Sequence, residues 1–93
     1  MLEKEIEMRL VRATKARGGL ALKFVSPGFA GMPDRLILLP GGGYGFVEVK
    51  GEGKIPRPLQ LARHAMLRSL GAKVYVLDNV KQIEEILDAI QSA

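Results

Sequence analysis

Two apolar segments separated by a run of glycines constrain the fold of this chain more than any other feature. The first segment spans residues 35–39 and the second spans residues 44–50, with Pro40-Gly41-Gly42-Gly43 between them. Apolar runs bounded by Gly and Pro are typical of strands, and so short a connection favours an antiparallel hairpin. After Arg35, the unbroken apolar run of residues 36–39 predicts that this strand is buried on both faces.

Helix-like periodicity lies on both sides of this hairpin. Before it, Leu2, Ile6, Leu10 and Ala13 recur every three or four positions, which predicts an amphipathic helix that ends at Gly18-Gly19. A strand over residues 20–25 follows and is broken by Ser26-Pro27-Gly28. Its odd and even residues alternate between two faces.

A second helix is predicted from Pro58, since proline is favoured in a first helical turn, and Gly71 ends it. A fourth strand spans residues 73–77, and Asp78 or Asn79 is placed to cap a last helix. The predicted inward-facing residues are Leu59, Ala62, Met66, Leu67 and Leu70 in the second helix, and Ile83, Ile86, Leu87 and Ile90 in the last.

The predicted order of elements is therefore α-β-β-β-α-β-α. A helix between the third and fourth strands is long enough to make them parallel neighbours through a right-handed crossover. The expected fold class is α/β, with a mixed four-stranded sheet flanked by helices in a single domain over residues 1–93.

Composition restricts the chemistry that this chain can perform. It has no cysteine and one histidine, His64, so thiolate sites and histidine clusters are excluded. A metal would need oxygen ligands, which points to Mg²⁺ or Mn²⁺. The net charge of +4 favours an anionic partner such as nucleic acid, although mild basicity also serves solubility. The charged N-terminus does not resemble a secretory signal, so a cytoplasmic location is expected.

Three charged residues interrupt the apolar pattern of the hairpin. Asp34 precedes its first strand, while Glu48 and Lys50 lie two apart in its second strand and therefore on one face. Two carboxylates close together are stabilised by a divalent cation, with the carbonyl of Val49 as a further oxygen ligand, and Lys50 can serve as a catalytic cation. On spacing alone, a turn-capping Asp34 and a solvated charged strand explain the pattern equally well.

A wider set of motifs resolves this ambiguity through a resemblance. Gly31-Met32-Pro33-Asp34-Arg35, followed by Phe46-Val47-Glu48-Val49-Lys50, resembles the PD-(D/E)xK nuclease signature. The acidic first helix, the Lys-Phe-Val-Ser-Pro-Gly stretch, Gln60 and the final Gly-Ala-Lys-Val-Tyr-Val-Leu-Asp strand extend the likeness over nearly the whole chain. Together they resemble the VRR-NUC family (virus-type replication–repair nuclease domains), especially its stand-alone viral members.

The resemblance implies a restriction-endonuclease-like fold and a site for Mg²⁺ or Mn²⁺. It assigns metal binding to Asp34 and Glu48 and the catalytic lysine to Lys50. A glutamate of the first helix completes the site in this family; Glu3 matches best, and Glu7, one turn on, is the alternative. The glutamine of the family falls on Gln60, which would hydrogen-bond the lysine or the attacking water.

Other residues are weaker candidates. Lys23, Lys54, Arg57 and Arg63 are expected to contact DNA phosphates, although solvation explains any one of them. His64 is a minor suspect as a general base and is expected to face solvent or DNA. Residues 41–45 lack the Gly-Lys-Ser/Thr ending of a phosphate loop and are interpreted as a hairpin turn.

The expected function is a metal-dependent DNA endonuclease that recognises nucleic-acid shape in branched DNA such as four-way (Holliday) junctions. Stand-alone members of the resembling family act as dimers, and a second copy would supply a second active site. The hairpin or last helix is the expected interface. The alternatives are a less selective nicking or flap nuclease and a DNA-binding subunit that does not cut.

Overall fold

A computed structural model describes residues 1–92 of the chain. The elements follow the predicted order, so the predicted fold class is confirmed. Three helices accompany four strands: α1 (Glu3–Ala16), β1 (Leu20–Lys23), β2 (Arg35–Leu38), β3 (Tyr44–Val49), α2 (Pro58–Ser69), β4 (Val74–Leu77) and α3 (Ile83–Gln91). No helix within residues 1–92 is both long and apolar enough to cross a membrane.

The four strands form one mixed sheet in the order β1-β2-β3-β4. The first three strands are antiparallel neighbours, and β4 runs parallel to β3, as a crossover through α2 requires. β1 ends at Lys23 and β3 at Val49, so both are shorter than predicted, because the chain turns into the loops that flank the sheet end carrying Asp34 and Lys50.

One face of the sheet holds the apolar core. Alternate strand residues Ile37, Val47 and Val49 are buried there against α1 and α3. The inward face of α3 is as predicted, since Ile83, Ile86, Leu87 and Ile90 are all buried. Asn79, one of the two predicted caps, accepts a hydrogen bond from the backbone N–H of Lys81 and opens a 3₁₀ turn (Val80–Gln82) that leads into α3.

The first helix departs from its predicted stripe at both ends. Ile6 and Leu10 are buried as expected, but Leu2 is exposed because it lies before the first helical turn. At the other end Thr14 is the buried residue, and its hydroxyl donates to the carbonyl oxygen of Leu10 at 2.8 Å. That bond satisfies the hydroxyl inside the core.

The opposite face of the sheet is largely open, which contradicts the predicted burial of β2 on both faces. Leu36 and Leu38 are only half-buried, because α2 packs over β4 and leaves the hairpin side of this face uncovered. Leu20, Leu22 and Tyr44 are 58%, 43% and 59% exposed. We call these three residues, with half-buried Leu36 and Leu38, the open sheet face.

The predicted buried stripe of α2 is wrong. Gln60 and His64 are its buried residues, whereas the predicted inward residues Leu59, Ala62, Met66 and Leu70 are exposed and Leu67 is half-buried. The helix therefore presents a polar pair to the sheet. This rotation has a functional meaning, because both polar side chains meet Glu48.

Candidate active site

Asp34 and Glu48 face each other at the end of the hairpin. The register pairs Arg35 with Val47, and one further step places Asp34 opposite Glu48. The bond from the N–H of Leu39 to the carbonyl of Gly43 marks the hydrogen-bonded positions of this ladder and makes Asp34–Glu48 a non-hydrogen-bonded pair. Side chains of such pairs lie closest together in an antiparallel sheet. Both carboxylates therefore lie on the face that also carries Leu36 and Phe46.

Asp34 is fixed by the backbone of the neighbouring strand. Its Oδ2 accepts a hydrogen bond from the N–H of Val49 at 2.8 Å. The same register places Pro33 opposite Val49, and proline has no N–H to donate. The hairpin ladder therefore supplies no hydrogen-bond donor to the carbonyl oxygen of Val49. This oxygen is suited to bind a cation.

Glu48 is a buried carboxyl group with an altered acidity. Only 1% of the residue is exposed, and burial, followed by the nearby carboxyl of Asp34, raises its pKa to about 8. Lys50 acts in the opposite direction: its Nζ lies 3.7 Å from Oε2 of Glu48. A cation between Asp34 and Glu48 would offset the repulsion from Asp34, which adds to the effect of burial on this pKa.

Both oxygens of the Glu48 carboxyl group are contacted by α2. The side-chain Nε2 of Gln60 donates to Oε2 at 3.1 Å, and Nε2 of His64 lies 3.3 Å from Oε1. The side-chain oxygen of Gln60 accepts from the backbone N–H of Arg57, so this residue also orders the start of α2. Gln60 is thus placed on the glutamate and not on Lys50.

The expectation that His64 faces solvent or DNA is wrong. His64 is fully buried against Glu48 and faces neither solvent nor a groove, and burial, followed by the charge of Arg68, lowers its pKa. The available signal was its spacing: residues four apart share a helix face, so the assignment of Gln60 to the site implied a similar position for His64.

The two glutamates of the first helix have different surroundings. Oε2 of Glu7 accepts a hydrogen bond from Nε of Arg35 at 2.9 Å, which commits Glu7 to an ion pair. Glu3 is exposed and lies at the start of α1, beside the end of β3. A Cβ added at Gly51, just after β3, would lie 3.7 Å from the backbone nitrogen of Glu3. The charge of Glu3 contributes to raising the pKa of Glu48.

Within residues 1–92, however, no three His, Cys, Asp or Glu side chains stand together as a ready metal site. The structure brings together a pair of carboxylates, and Glu3 stands outside that pair. The donors that fit a cation here are oxygens only, namely Asp34, Glu48 and the carbonyl of Val49, and this set suits a hard ion such as Mg²⁺ or Mn²⁺.

Of the residues predicted to contact DNA, three are exposed and one contacts other parts of the protein. Lys23, Lys54 and Arg57 are exposed around the end of the sheet that carries the carboxylates. Arg63 is engaged: its Nε donates to the carbonyl of Ala30 at 2.8 Å, and its guanidinium lies 3.9 Å from the centre of the Phe29 ring. Arg63 thus holds the loop that leads to Asp34 against α2.

Glycine permits this close contact between the loop and α2. Gly31 has a φ of +88°, and a Cβ there would come within 2.9 Å of the Leu59 side chain. A larger residue would therefore push the loop away and displace Asp34, three residues further on.

The fold and the sequence resemble those of known nuclease proteins. A solved structure described as a VRR_NUC domain superposes with a TM-score of 0.85 and 36% identity, covering 92% of this chain and 94% of that one. "Putative nuclease p44" of Acyrthosiphon pisum secondary endosymbiont phage 1 is 49% identical over 88 residues, which covers 95% of this chain and 94% of that protein. No family model matches the sequence.

These similarities define the class of protein as a phage-type nuclease domain of mixed α/β fold. The chain belongs to the VRR-NUC family, as the motifs from Gly31 to Lys50 indicated.

Proposed function

We propose that this protein is a Mg²⁺- or Mn²⁺-dependent endonuclease that hydrolyses phosphodiester bonds in branched DNA and acts as a homodimer. The observation that carries the proposal is the cross-strand pair of Asp34 and Glu48, with Lys50 next to it on the same strand. A carboxyl group as buried as Glu48 is costly unless it is paired or binds a cation, and its elevated pKa reflects that cost.

Asp34, Glu48 and the carbonyl of Val49 would hold the cation, and Glu3 is the further ligand that the end of α1 can offer. A divalent ion bound there supplies Lewis-acid polarisation of the phosphodiester and a more acidic water. The hydrogen bond from the N–H of Val49 keeps Asp34 directed at this position. Gln60 orients Glu48 through its oxygen Oε2.

Lys50 is the catalytic cation of the proposal. Its ammonium group stays within 3.7 Å of Glu48, and its side chain keeps 16% of its surface exposed. It can therefore reach a phosphate at the surface while remaining next to the carboxylates. There it orients the attacking water and stabilises the negative charge that develops on the phosphoryl oxygens.

Recognition by backbone charge and DNA shape follows from the residues around the site. Lys23, Lys54 and Arg57 offer exposed positive charge, and the chain has no tryptophan and only five aromatic residues for base stacking. Binding to phosphates in a branched geometry is the mode that this surface supports.

The open sheet face supports the homodimer. Exposed Leu20 and Leu22 of β1 and exposed Tyr44 of β3 lie on one sheet face, with half-buried Leu36 and Leu38 of β2 between them. The apolar face of α3, by contrast, is fully used in the core. A contiguous apolar surface of this kind is typical of an interface. Of the two predicted locations, the hairpin side is therefore supported. A two-fold dimer would present two active sites to the two strands of a junction.

The test is cleavage of labelled four-way junction, flap, duplex and single-stranded DNA with Mg²⁺, Mn²⁺ or a chelator. We expect junction cleavage with either ion and none with the chelator. Asp34→Asn and Lys50→Ala should each lower the rate at least about a hundredfold without loss of fold. Glu85→Gln and Lys15→Ala change matched charges on exposed surfaces away from the site and serve as controls.

The outcomes separate the alternatives. Equal cleavage of flaps, duplex and junctions would identify a less selective nuclease of the same fold. Tight junction binding without cleavage under any metal condition would identify a DNA-binding subunit. If Asp34→Asn and Lys50→Ala cut like the parent, the assignment of the active site is wrong.

A further inference from the structure

Two side chains of α2 hold the carboxyl group of Glu48, one at each oxygen. Gln60 and His64 are four residues apart and therefore share a helix face. Gln60 donates to Oε2, and Nε2 of His64 lies against Oε1 at 3.3 Å. These two contacts determine the plane in which the carboxyl group of Glu48 lies.

The chemistry of the contact specifies which nitrogen of His64 carries the proton. When a bound cation keeps Glu48 ionised, its carboxylate can only accept hydrogen bonds, so the nitrogen of His64 that faces Oε1 is then the donor. The second nitrogen, Nδ1, is buried and has no hydrogen-bond partner among residues 1–92. Within residues 1–92 the imidazole of His64 thus makes a single hydrogen bond, to Glu48.

An unpartnered buried nitrogen is a cost that a purely structural position does not need. An apolar side chain of similar size would fill the same space without a polar atom to desolvate. His64 is fully buried, so it also has no access to solvent that would make it a general base for the attacking water. The imidazole provides a hydrogen bond to Glu48, which a leucine at this position would not provide.

We propose that His64 is a positioning residue: its Nε2–H fixes Oε1 of Glu48 so that the remaining lone pairs of the carboxylate face the cation site beside Asp34. Each carboxylate oxygen accepts more than one contact, so a hydrogen bond from α2 leaves capacity for a metal. Mutation of a residue that hydrogen-bonds to a metal ligand commonly lowers metal affinity by about 10- to 100-fold. The inference rests on the proposed metal-dependent function.

The experiment compares Mn²⁺ binding to DNA-free protein, measured by electron paramagnetic resonance, in the parent, His64→Leu and His64→Gln. Glutamine places an amide N–H about where Nε2 lies, whereas leucine removes the donor at similar volume. We expect leucine to weaken Mn²⁺ binding by about tenfold and glutamine to retain it within about threefold.

Thermal unfolding with a chelator distinguishes positioning from packing. Since Nδ1 has no partner, His64→Leu should unfold at the same or a higher temperature than the parent while it binds Mn²⁺ more weakly. Junction cleavage should lose turnover rate with unchanged affinity for DNA. Parental Mn²⁺ affinity in His64→Leu overturns the inference, and so does a loss of affinity that accompanies an equal loss of metal-free stability.

A measurement on the parent protein avoids any failure of the variants to fold. Nitrogen NMR of the single imidazole should show the proton on Nε2 in the Mg²⁺-saturated parent. The change that Mg²⁺ produces in this spectrum should vanish in Asp34→Asn. A proton on Nδ1 in the Mg²⁺-saturated protein would overturn the inference. If the parent cuts DNA but His64→Leu binds Mn²⁺ normally, only the inference fails; if the parent binds no Mn²⁺ and does not cut, both fail.

Discussion

Oε2 of Glu7 accepts a hydrogen bond from Nε of Arg35 at 2.9 Å, and this ion pair joins α1 to β2. The same guanidinium donates through its NH1 group to the carbonyl of Ala21 at 3.0 Å. Arg35 thereby connects the helix to β1 as well. Only 12% of the arginine side chain and 26% of the glutamate side chain are exposed, so the pair is sheltered from water.

This pairing yields opposite predictions for the two glutamates. Glu7→Gln should destabilise the fold by about 1–2 kcal/mol, because it weakens a charged hydrogen bond that holds α1, while cleavage persists. Glu3→Gln should leave stability unchanged and lower both cleavage and Mn²⁺ affinity. Urea unfolding, cleavage rates and metal titration of both variants make the comparison. If Glu7→Gln abolishes cleavage at full stability, Glu7 is the ligand.

The acidity of Glu48 predicts how metal-free stability depends on pH. Its pKa rises from an ordinary 4.5 to about 8 in the folded protein. Between these values the folded protein holds a proton that the unfolded chain has released. Stability is therefore highest at the acid end of this window and falls as pH rises through it.

Urea unfolding with a chelator should show this contribution falling by more than about 1 kcal/mol between pH 5 and pH 8. Glu48→Gln, which cannot ionise, should lack it and be the more stable protein at pH 8. Saturating Mg²⁺ should reduce the decline in the parent, because the cation takes the place of the proton. Exposed Glu85→Gln is the matched control. Identical pH profiles for the parent and Glu48→Gln would refute the assignment.

The contrast between α3 and α2 explains what periodicity can predict. In α3 the buried Ile83, Ile86, Leu87 and Ile90 stand opposite the exposed charges Glu84, Glu85 and Asp88, so a single inward face was evident. In α2 leucines occur on several sides, and Gln60 and His64 are spaced as regularly as any apolar pair. Periodicity shows that a helix has faces but does not choose between them when apolar residues surround it.

Some residues of the site could be predicted from local sequence, and others depend on contacts between distant parts of the chain. Asp34 and Glu48 follow from local hairpin register, since a short turn fixes which residues oppose each other. The fate of Glu7 depends on Arg35, which lies 28 residues away. The place of His64 depends on the rotation of α2 against the sheet. Such long-range contacts are not encoded in any short motif.

The basic residues around the site provide a test of DNA contact. Lys54 and Arg57 are exposed. Lys54→Ala and Arg57→Ala should each weaken junction binding and lower the slope of log affinity against log salt concentration by about one, the value of one phosphate contact. Arg63→Ala should leave the salt dependence nearly unchanged, because Arg63 is bound to Ala30 and Phe29. It should instead lower cleavage by loosening the loop before Asp34. Binding titrations at several salt concentrations measure both; an equal slope change for all three would contradict this division.

The open sheet face predicts how the oligomeric state can be broken. Leu22 lies on β1, two residues from exposed Leu20 and opposite half-buried Leu36 of β2. Leu22→Lys would therefore bury an unpaired charge in the proposed interface. We expect a folded monomer at micromolar concentration, where the parent sediments as a dimer. Met8→Lys adds the same charge at a comparably exposed position of α1 and should remain dimeric.

Cleavage of a four-way junction should change in parallel. The dimer would cut two strands symmetrically, whereas the Leu22→Lys monomer would leave single nicks, because each copy carries one Asp34–Glu48 site. Because Met8→Lys carries the same added charge, it separates loss of the interface from altered attraction to DNA. A parent that sediments as a monomer, or a Leu22→Lys variant that remains a dimer, would exclude this face as the interface.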